Sequence, residues 1–271
     1  MPSNVEHHLG PHPTVRHPFG RCLTAADGLT QSKSPHRALQ EIVTERPRAI
    51  IAVQEMLTRQ HASPEALIRS ERRVAALRAL GYDDIAEREG ARRFPTSETT
   101  RKGNLAEVVL AEYVVASSGL SLPVYRLRYN PNVEQSMKGD DVLAFDLDSR
   151  PVRVIVGEAK FRGTPTITHV REIAEALLRS YRAGVPASLQ FVAACLYEQG
   201  RNELAERIDE CAVLFAQRML RIQYVGMLMS NMDVQRRVHE GTPNALRNLV
   251  MLSLSLENPE QFVGACFDGL R

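Results

Sequence analysis

Two apolar runs separated by three residues constrain this 271-residue chain more than any other feature. The runs are "DDVLAFDLD", Asp140 to Asp148, and "VRVIVGEAKF", Val152 to Phe161, joined only by Ser149-Arg150-Pro151. So short a link cannot make the crossover that a parallel pair needs, so it predicts an antiparallel hairpin. Side chains alternate across a sheet, so Glu158 and Lys160 share one face. Gly157 and Ala159 share the other, where small residues admit a closely packed helix. In such a hairpin the start of the first strand lies beside the end of the second. Asp141 then approaches Glu158, and only one of the adjacent pair Asp140 and Asp141 can face it; Asp140 stands as the substitute candidate.

Ionised groups at the end of an apolar run are costly unless something compensates them. Two carboxylates and a lysine suit a divalent cation: Mg²⁺, or Mn²⁺, takes hard oxygen ligands and keeps several waters. Asp141 and Glu158 supply two ligands, and the main-chain carbonyl of Ala159 a third. The ion would polarise a phosphoryl oxygen and activate water. Lys160 would orient that water or offset charge in the transition state. The plainer alternative is a hairpin salt bridge at a solvated strand edge, which contributes little.

Around the hairpin, periodicity predicts an α/β order. Residues 1–33, with many Pro, Gly, His and Ser, read as an irregular or mobile leader whose His7, His8, His12 and His17 belong to a solvated tail. Residues 34–90 read as a helical module: a helix from His36 to about Gln60 broken near Pro47, then one capped by Ser63 with Pro64 in its first turn and Gly81 at its stop. Residues 91–271 read as the main domain. It opens with the amphipathic helix "NLAEVVLAEYVVASSGL", ended by Gly119. Strands are expected at Pro123–Tyr129, at both arms of the hairpin, in "LQFVAACLY", in "IQYVGMLMS" and in "ALRNLVMLSLSLE". Helices are expected at about Thr168 to Ala183 and Asn202 to Leu220. The result is a central mixed β-sheet flanked by helices.

That order resembles the PD-(D/E)xK nuclease superfamily, on the motifs "KGNLAE", "MKGDDVLAF" and "VGEAKF". The resemblance spans about Thr96 to Tyr197 and implies a restriction-endonuclease-like core. It makes Asp141 and Glu158 metal ligands, Lys160 the catalytic lysine and Glu107 an acid contributed by the first helix. Glu112 lies five residues further on, roughly 140° round the helix, and is expected to be a solvated or rim residue. The motif proline is absent, with Gly139-Asp140 in its place. "REIAEALLRSY" has Tyr181 but no glutamine, unlike the RecB-like branch. More narrowly, "KGDD" followed by "VGEAKF" behind a helical module resembles the HamA family of Hachiman-type anti-phage effectors. That implies a Mg²⁺-dependent DNase working beside a separately encoded helicase.

For nucleic acid, the alternation of Arg126 and Arg128 on a strand and the loop positions of Lys138 and Arg162 predict phosphate contacts; Arg101, Lys102 and Arg171 are further basic neighbours. The formal net charge of +2 neither demands nor excludes a polyanion. With no Trp there is no sign of a base-stacking platform. His169 is read as a helix opener and His239 as a loop residue. The four cysteines show no C-x-x-C spacing, and Cys195, Cys211 and Cys266 lie in apolar contexts, as core thiols do. No apolar signal core or membrane-length run is present, so a soluble cytoplasmic protein is expected. The rival functional reading is a catalytically inert nucleic-acid-binding or scaffolding subunit that keeps a nuclease-like core.

Overall fold

A computed structural model describes residues 4–91, 93–244 and 246–270; residues 1–3 of the expected leader, Arg92 and Ala245 of the expected last strand fall outside them. Two short helices, α1 (Asn4–Leu9) and α2 (Pro18–Cys22), lead into strands β1 (Leu23–Leu29) and β2 (Pro35–Glu41). Helices α3 (Arg46–His61), α4 (Pro64–Ala79), α5 (Asp83–Ala91) and α6 (Glu98–Ser118) follow. The hairpin β3 (Val142–Asp146) and β4 (Val152–Phe161) precedes α7 (Ile167–Ala183), α8 (Leu189–Glu198), α9 (Asn202–Asp209) and α10 (Cys211–Ala216). The chain closes with β5 (Leu220–Ser230), α11 (Val234–Gly241), β6 (Leu249–Ser255) and α12 (Pro259–Phe267).

The six strands form one mixed sheet in the order β1-β2-β6-β5-β4-β3. β4, β5, β6 and β2 run parallel, with β3 and β1 antiparallel at the two edges. Every residue of β6, and all but the first two of β5, is buried, as central parallel strands require. One face is covered by α6, α3 and α12, and the other by α7, α8 and α11. Gly157 permits the first packing: a Cβ there would lie 2.8 Å from Val142 Cβ and 3.0 Å from Leu110 Cδ2 on α6. Gly157→Val is therefore expected to destabilise the fold by about 1–3 kcal/mol through overpacking, read as a lowered urea midpoint.

Five expectations need correction. Residues 4–33 are structured: Val5 and Leu9 are fully buried and β1 forms a sheet edge. His12 bonds Tyr113 Oη at 2.9 Å and His17 caps α2, so these histidines fasten the segment down. Second, the expected helix from His36 begins as strand β2; Pro47 falls in the first turn of α3, where its missing N–H costs nothing, and starts that helix.

Third, "LQFVAACLY" is helix α8. Its buried Leu189, Val192, Ala193 and Leu196 fall at helical i, i+3, i+4, i+7 spacing, which an uninterrupted apolar run conceals. Fourth, the expected strand at Pro123–Tyr129 is a 3₁₀ turn, Arg126–Tyr129, that buries Leu127; Ser121, just before it, makes an isolated bridge to β3 at Phe145. Fifth, the expected Asn202–Leu220 helix divides at Glu210 into α9 and α10.

Elsewhere the elements agree with expectation. Ser63 accepts from Ala66 N at 3.2 Å, Gly119 closes α6 at φ 71°, and Gly81 sits at φ 81° just beyond α4. All four cysteines are free and buried. Among the described residues no helix is long and apolar enough to cross a membrane.

Candidate active site

The hairpin delivers its acids as the alternation argument requires. Val142 pairs with Gly157, and Asp141 N donates to Gly157 O at 3.1 Å, so the next rung sets Asp141 against Glu158. Asp141 Oδ2 then accepts from Ala159 N at 2.9 Å, which locks the carboxylate beyond the end of β3. Main-chain groups of one residue share a side of the strand, so the Ala159 carbonyl faces the same vacated edge. Asp140 turns elsewhere. Its Oδ2 accepts from Ser188 N at 3.0 Å while its own N–H donates to Ser188 Oγ at 2.8 Å, tying the motif loop to the start of α8. Gly139 makes that approach possible: φ is +111°, and a Cβ there would stand 2.6 Å from Ser188 Oγ. Asp141 is thus the aspartate that faces Glu158.

Glu107 comes from α6 and is buried. Asp141, Glu158, Lys160 and Glu107 all line one open cleft of about 940 Å³ between α6, the motif loop, β4 and α7. Lys160 Nζ lies 3.7 Å from Glu158 Oε1 and 3.9 Å from Glu172 Oε2, close enough for charge compensation yet beyond hydrogen-bond reach. Glu112 points away, bonding Gln60 at 2.8 Å and Arg59 at 2.7 Å; it is a packed residue of the α3–α6 contact and not the rim residue expected.

Electrostatics follow from this crowding. Burial, then the Asp141 and Glu158 carboxylates, push Glu107 up to about 8, against the pull of Arg126. Burial and Asp141 push Glu158 up to about 7, opposed by Lys160 and Arg126. Asp141 is raised mainly by burial, with Arg126 and the Ala159 N–H working the other way. Carboxyls whose folded pKa exceeds the unfolded value bind more protons folded than unfolded, so the stability of metal-free protein falls as pH rises from about 4.5 to 8. Urea midpoints in chelator are expected to drop from pH 5.5 to 8.5, and Glu107→Gln is expected to flatten that slope.

Among the described residues, no group of three or more acidic, histidine or cysteine side chains gathers closely enough to hold a metal ion. Two carboxylates and the Ala159 carbonyl remain a fitting donor set for a hard cation that keeps its waters. Glu107 Oε1 is buried without a hydrogen-bond partner, although Arg126 Nε lies 3.1 Å away.

A family model described as HamA matches residues 49–270. The chain belongs to the HamA family. The Hachiman protein HamA of Bacillus cereus is 34% identical over 263 residues, covering 96% of this chain and 93% of that relative. The residues matched by the family model begin within α3, so β1 and β2 lie before them.

The basic residues divide differently from the strand-based reading. In this HamA-family chain Arg126 and Arg128 lie on a 3₁₀ turn of three residues per turn, where positions two apart diverge instead of sharing a face. The Arg126 guanidinium points inward, 11% exposed, 3.1 Å from Glu107 Oε1 and 3.6 Å from Asp141 Oδ1. Arg128 donates to Arg59 O at 2.7 Å and stacks on Tyr125, in a separate cleft. Lys138 and Arg162 do line the acidic cleft, as does Lys102, whereas Arg101 bonds Pro95 O at 2.7 Å and packs over Phe267.

Two residues of α7 escaped sequence reasoning. Glu172 sits 3.6 Å from Arg162, a residue of the cleft, and Arg179 lines the cleft two turns further along α7. Their i, i+7 spacing through Ala176 was the available signal. His169 N donates to the Thr166 cap at 3.3 Å, as expected of a helix opener, while His239 belongs to α11 and not to a loop.

Proposed function

We propose that this HamA-family chain is a Hachiman anti-phage defence protein that hydrolyses DNA phosphodiester bonds with Mg²⁺ or Mn²⁺, beside a helicase partner. The observation that carries this reading is the convergence of Asp141, Glu158, Lys160 and Glu107 on one open cleft flanked by basic residues. The helix, antiparallel hairpin, helix order around it favours a restriction-endonuclease-like core.

A divalent ion held by Asp141, Glu158 and the Ala159 carbonyl would supply Lewis-acid polarisation of the scissile phosphate. The chain's own groups do the rest. The Ala159 N–H fixes the rotamer of Asp141, so this ligand is in place before substrate arrives. Lys160, tethered electrostatically by Glu158 and Glu172, holds its ammonium where negative charge grows on the phosphoryl oxygens. Glu107 helps orient water from the α6 side, where it lines the same cleft as Asp141 and Glu158. Lys102, Lys138, Arg162 and Arg179 lead the sugar-phosphate backbone past the acids.

The test is purified protein with plasmid, linear and single-stranded DNA, with and without Mg²⁺, alongside calorimetric titration of Mn²⁺. Metal-dependent cleavage that disappears in folded Asp141→Ala, together with loss of the binding heat, is the expected result. No specific heat and no cleavage of any substrate would instead favour the inert nucleic-acid-binding or scaffolding subunit.

A further inference from the structure

Arg126 occupies a position that its role as a surface phosphate contact does not explain. Four oxygens surround its guanidinium. Two are carboxylate oxygens, Glu107 Oε1 at 3.1 Å and Asp141 Oδ1 at 3.6 Å. Two are main-chain carbonyls of the motif loop, Met137 O at 2.8 Å from Nη2, and Asp140 O bonded by Nη1. An all-oxygen cage with two acids is the donor set of a hard divalent cation.

The fit of the arginine is incomplete. Its Nε and Glu107 Oε1 lie within contact distance, yet neither has a hydrogen-bond partner, because the N–H is not aimed at the oxygen. A void of about 20 Å³, room for about one water, lies beside the pair, lined by Gln60, Asp140, Leu143 and Ser188 among others. Arg126 borders this void and not the open cleft, so it approaches Glu107 and Asp141 from behind the position that Asp141, Glu158 and the Ala159 carbonyl offer.

We propose that Arg126 is a resident cation filling the rear one of two cation positions in the acidic cluster, so that the centre accepts a single divalent ion. The inference rests on the metal reading above. The fixed charge neutralises the Glu107–Asp141 side permanently, leaving the front position between Asp141 and Glu158 for an exchangeable ion. Arg126 acts through those acids and is a positioning residue.

The test counts Mn²⁺ bound to purified protein by calorimetry and by electron paramagnetic resonance, without nucleic acid. Wild type and Arg126→Lys are expected to take up one ion. Arg126→Ala is expected to take up two, with the spin-coupled signal of ions roughly 3.5–4 Å apart. Since Arg126 also anchors the motif loop, Arg126→Ala is expected to melt lower than wild type in chelator. Its melting temperature should then climb with millimolar Mn²⁺ well beyond the rise that wild type shows.

One ion in both wild type and Arg126→Ala overturns the resident-cation inference and leaves the metal reading standing. No ion in wild type removes both. An Arg126→Ala protein that stays unfolded at millimolar Mn²⁺ while Arg126→Lys folds also overturns the inference, because a divalent ion then fails to replace the guanidinium.

Discussion

Lys160→Ala is expected to lower metal-dependent DNA cleavage at least about 10²-fold, about 2.7 kcal/mol of transition-state stabilisation, while leaving the protein folded. The side chain is 24% exposed and makes only long contacts to Glu158 and Glu172, so its removal leaves no buried partner orphaned. Its ammonium is nonetheless the positive side-chain charge that β4 itself projects toward the paired acids. Glu158→Gln should lose as much or more, since it removes the charge of a proposed metal ligand while keeping the shape. Turnover of a cleavable plasmid measures both, with far-ultraviolet circular dichroism reporting the fold. Lys160→Ala cleaving at the wild-type rate would strip the lysine of the proposed role.

The largest stability effect is expected far from the cleft. Arg37, 1% exposed, is held bidentately by Asp27 across the β1–β2 ladder, at 2.6 Å to Oδ1 and 2.8 Å to Oδ2. Its remaining nitrogen reaches Gly10 O at 3.1 Å and Tyr113 Oη at 3.3 Å, so one guanidinium joins the N-terminal segment, β2 and α6. Asp27→Ala leaves that buried charge without its carboxylate, a loss of about 3–5 kcal/mol. That corresponds to a melting temperature lower by about 10 °C. Asp27→Ala combined with Arg37→Met should recover part of the loss, because a buried apolar side chain of similar length needs no counter-charge. Equal stability of wild type and Asp27→Ala would show that the pair is dispensable.

The hairpin and its acids were legible because strand alternation is local: the spacing of Asp141, Glu158 and Lys160 specifies their face once the short Ser149-Arg150-Pro151 link fixes the pairing. The α6 helix and its Gly119 stop were equally readable from periodicity and backbone preference. Elements whose local pattern was ambiguous were not. "LQFVAACLY" satisfies both a buried strand and a buried helix, and packing against the core beneath α7 and β3 chose the helix. Pro35–Glu41 carries no apolar alternation strong enough to announce a strand. It becomes one because β6 offers it a parallel edge and β1 brings Asp27 to Arg37.

Arg126 is the sharpest case. Read as a strand, it faces solvent with Arg128; within a 3₁₀ turn it enters the acidic cluster from behind. Nothing local distinguishes the two, since a guanidinium suits a phosphate and a carboxylate alike.

By itself, then, the chain determined which side chains alternate on β4, where α6 stops, and that an acid from the preceding strand stands opposite Glu158. Tertiary structure decided that Asp140 turns to Ser188, that Glu112 packs against Gln60 and Arg59, and that Arg126 is drawn inside the acidic cluster. The physical reason is range: alternation and capping act between residues a few positions apart. The pairing of buried charges depends on which distant segments are left facing one another after the core has closed.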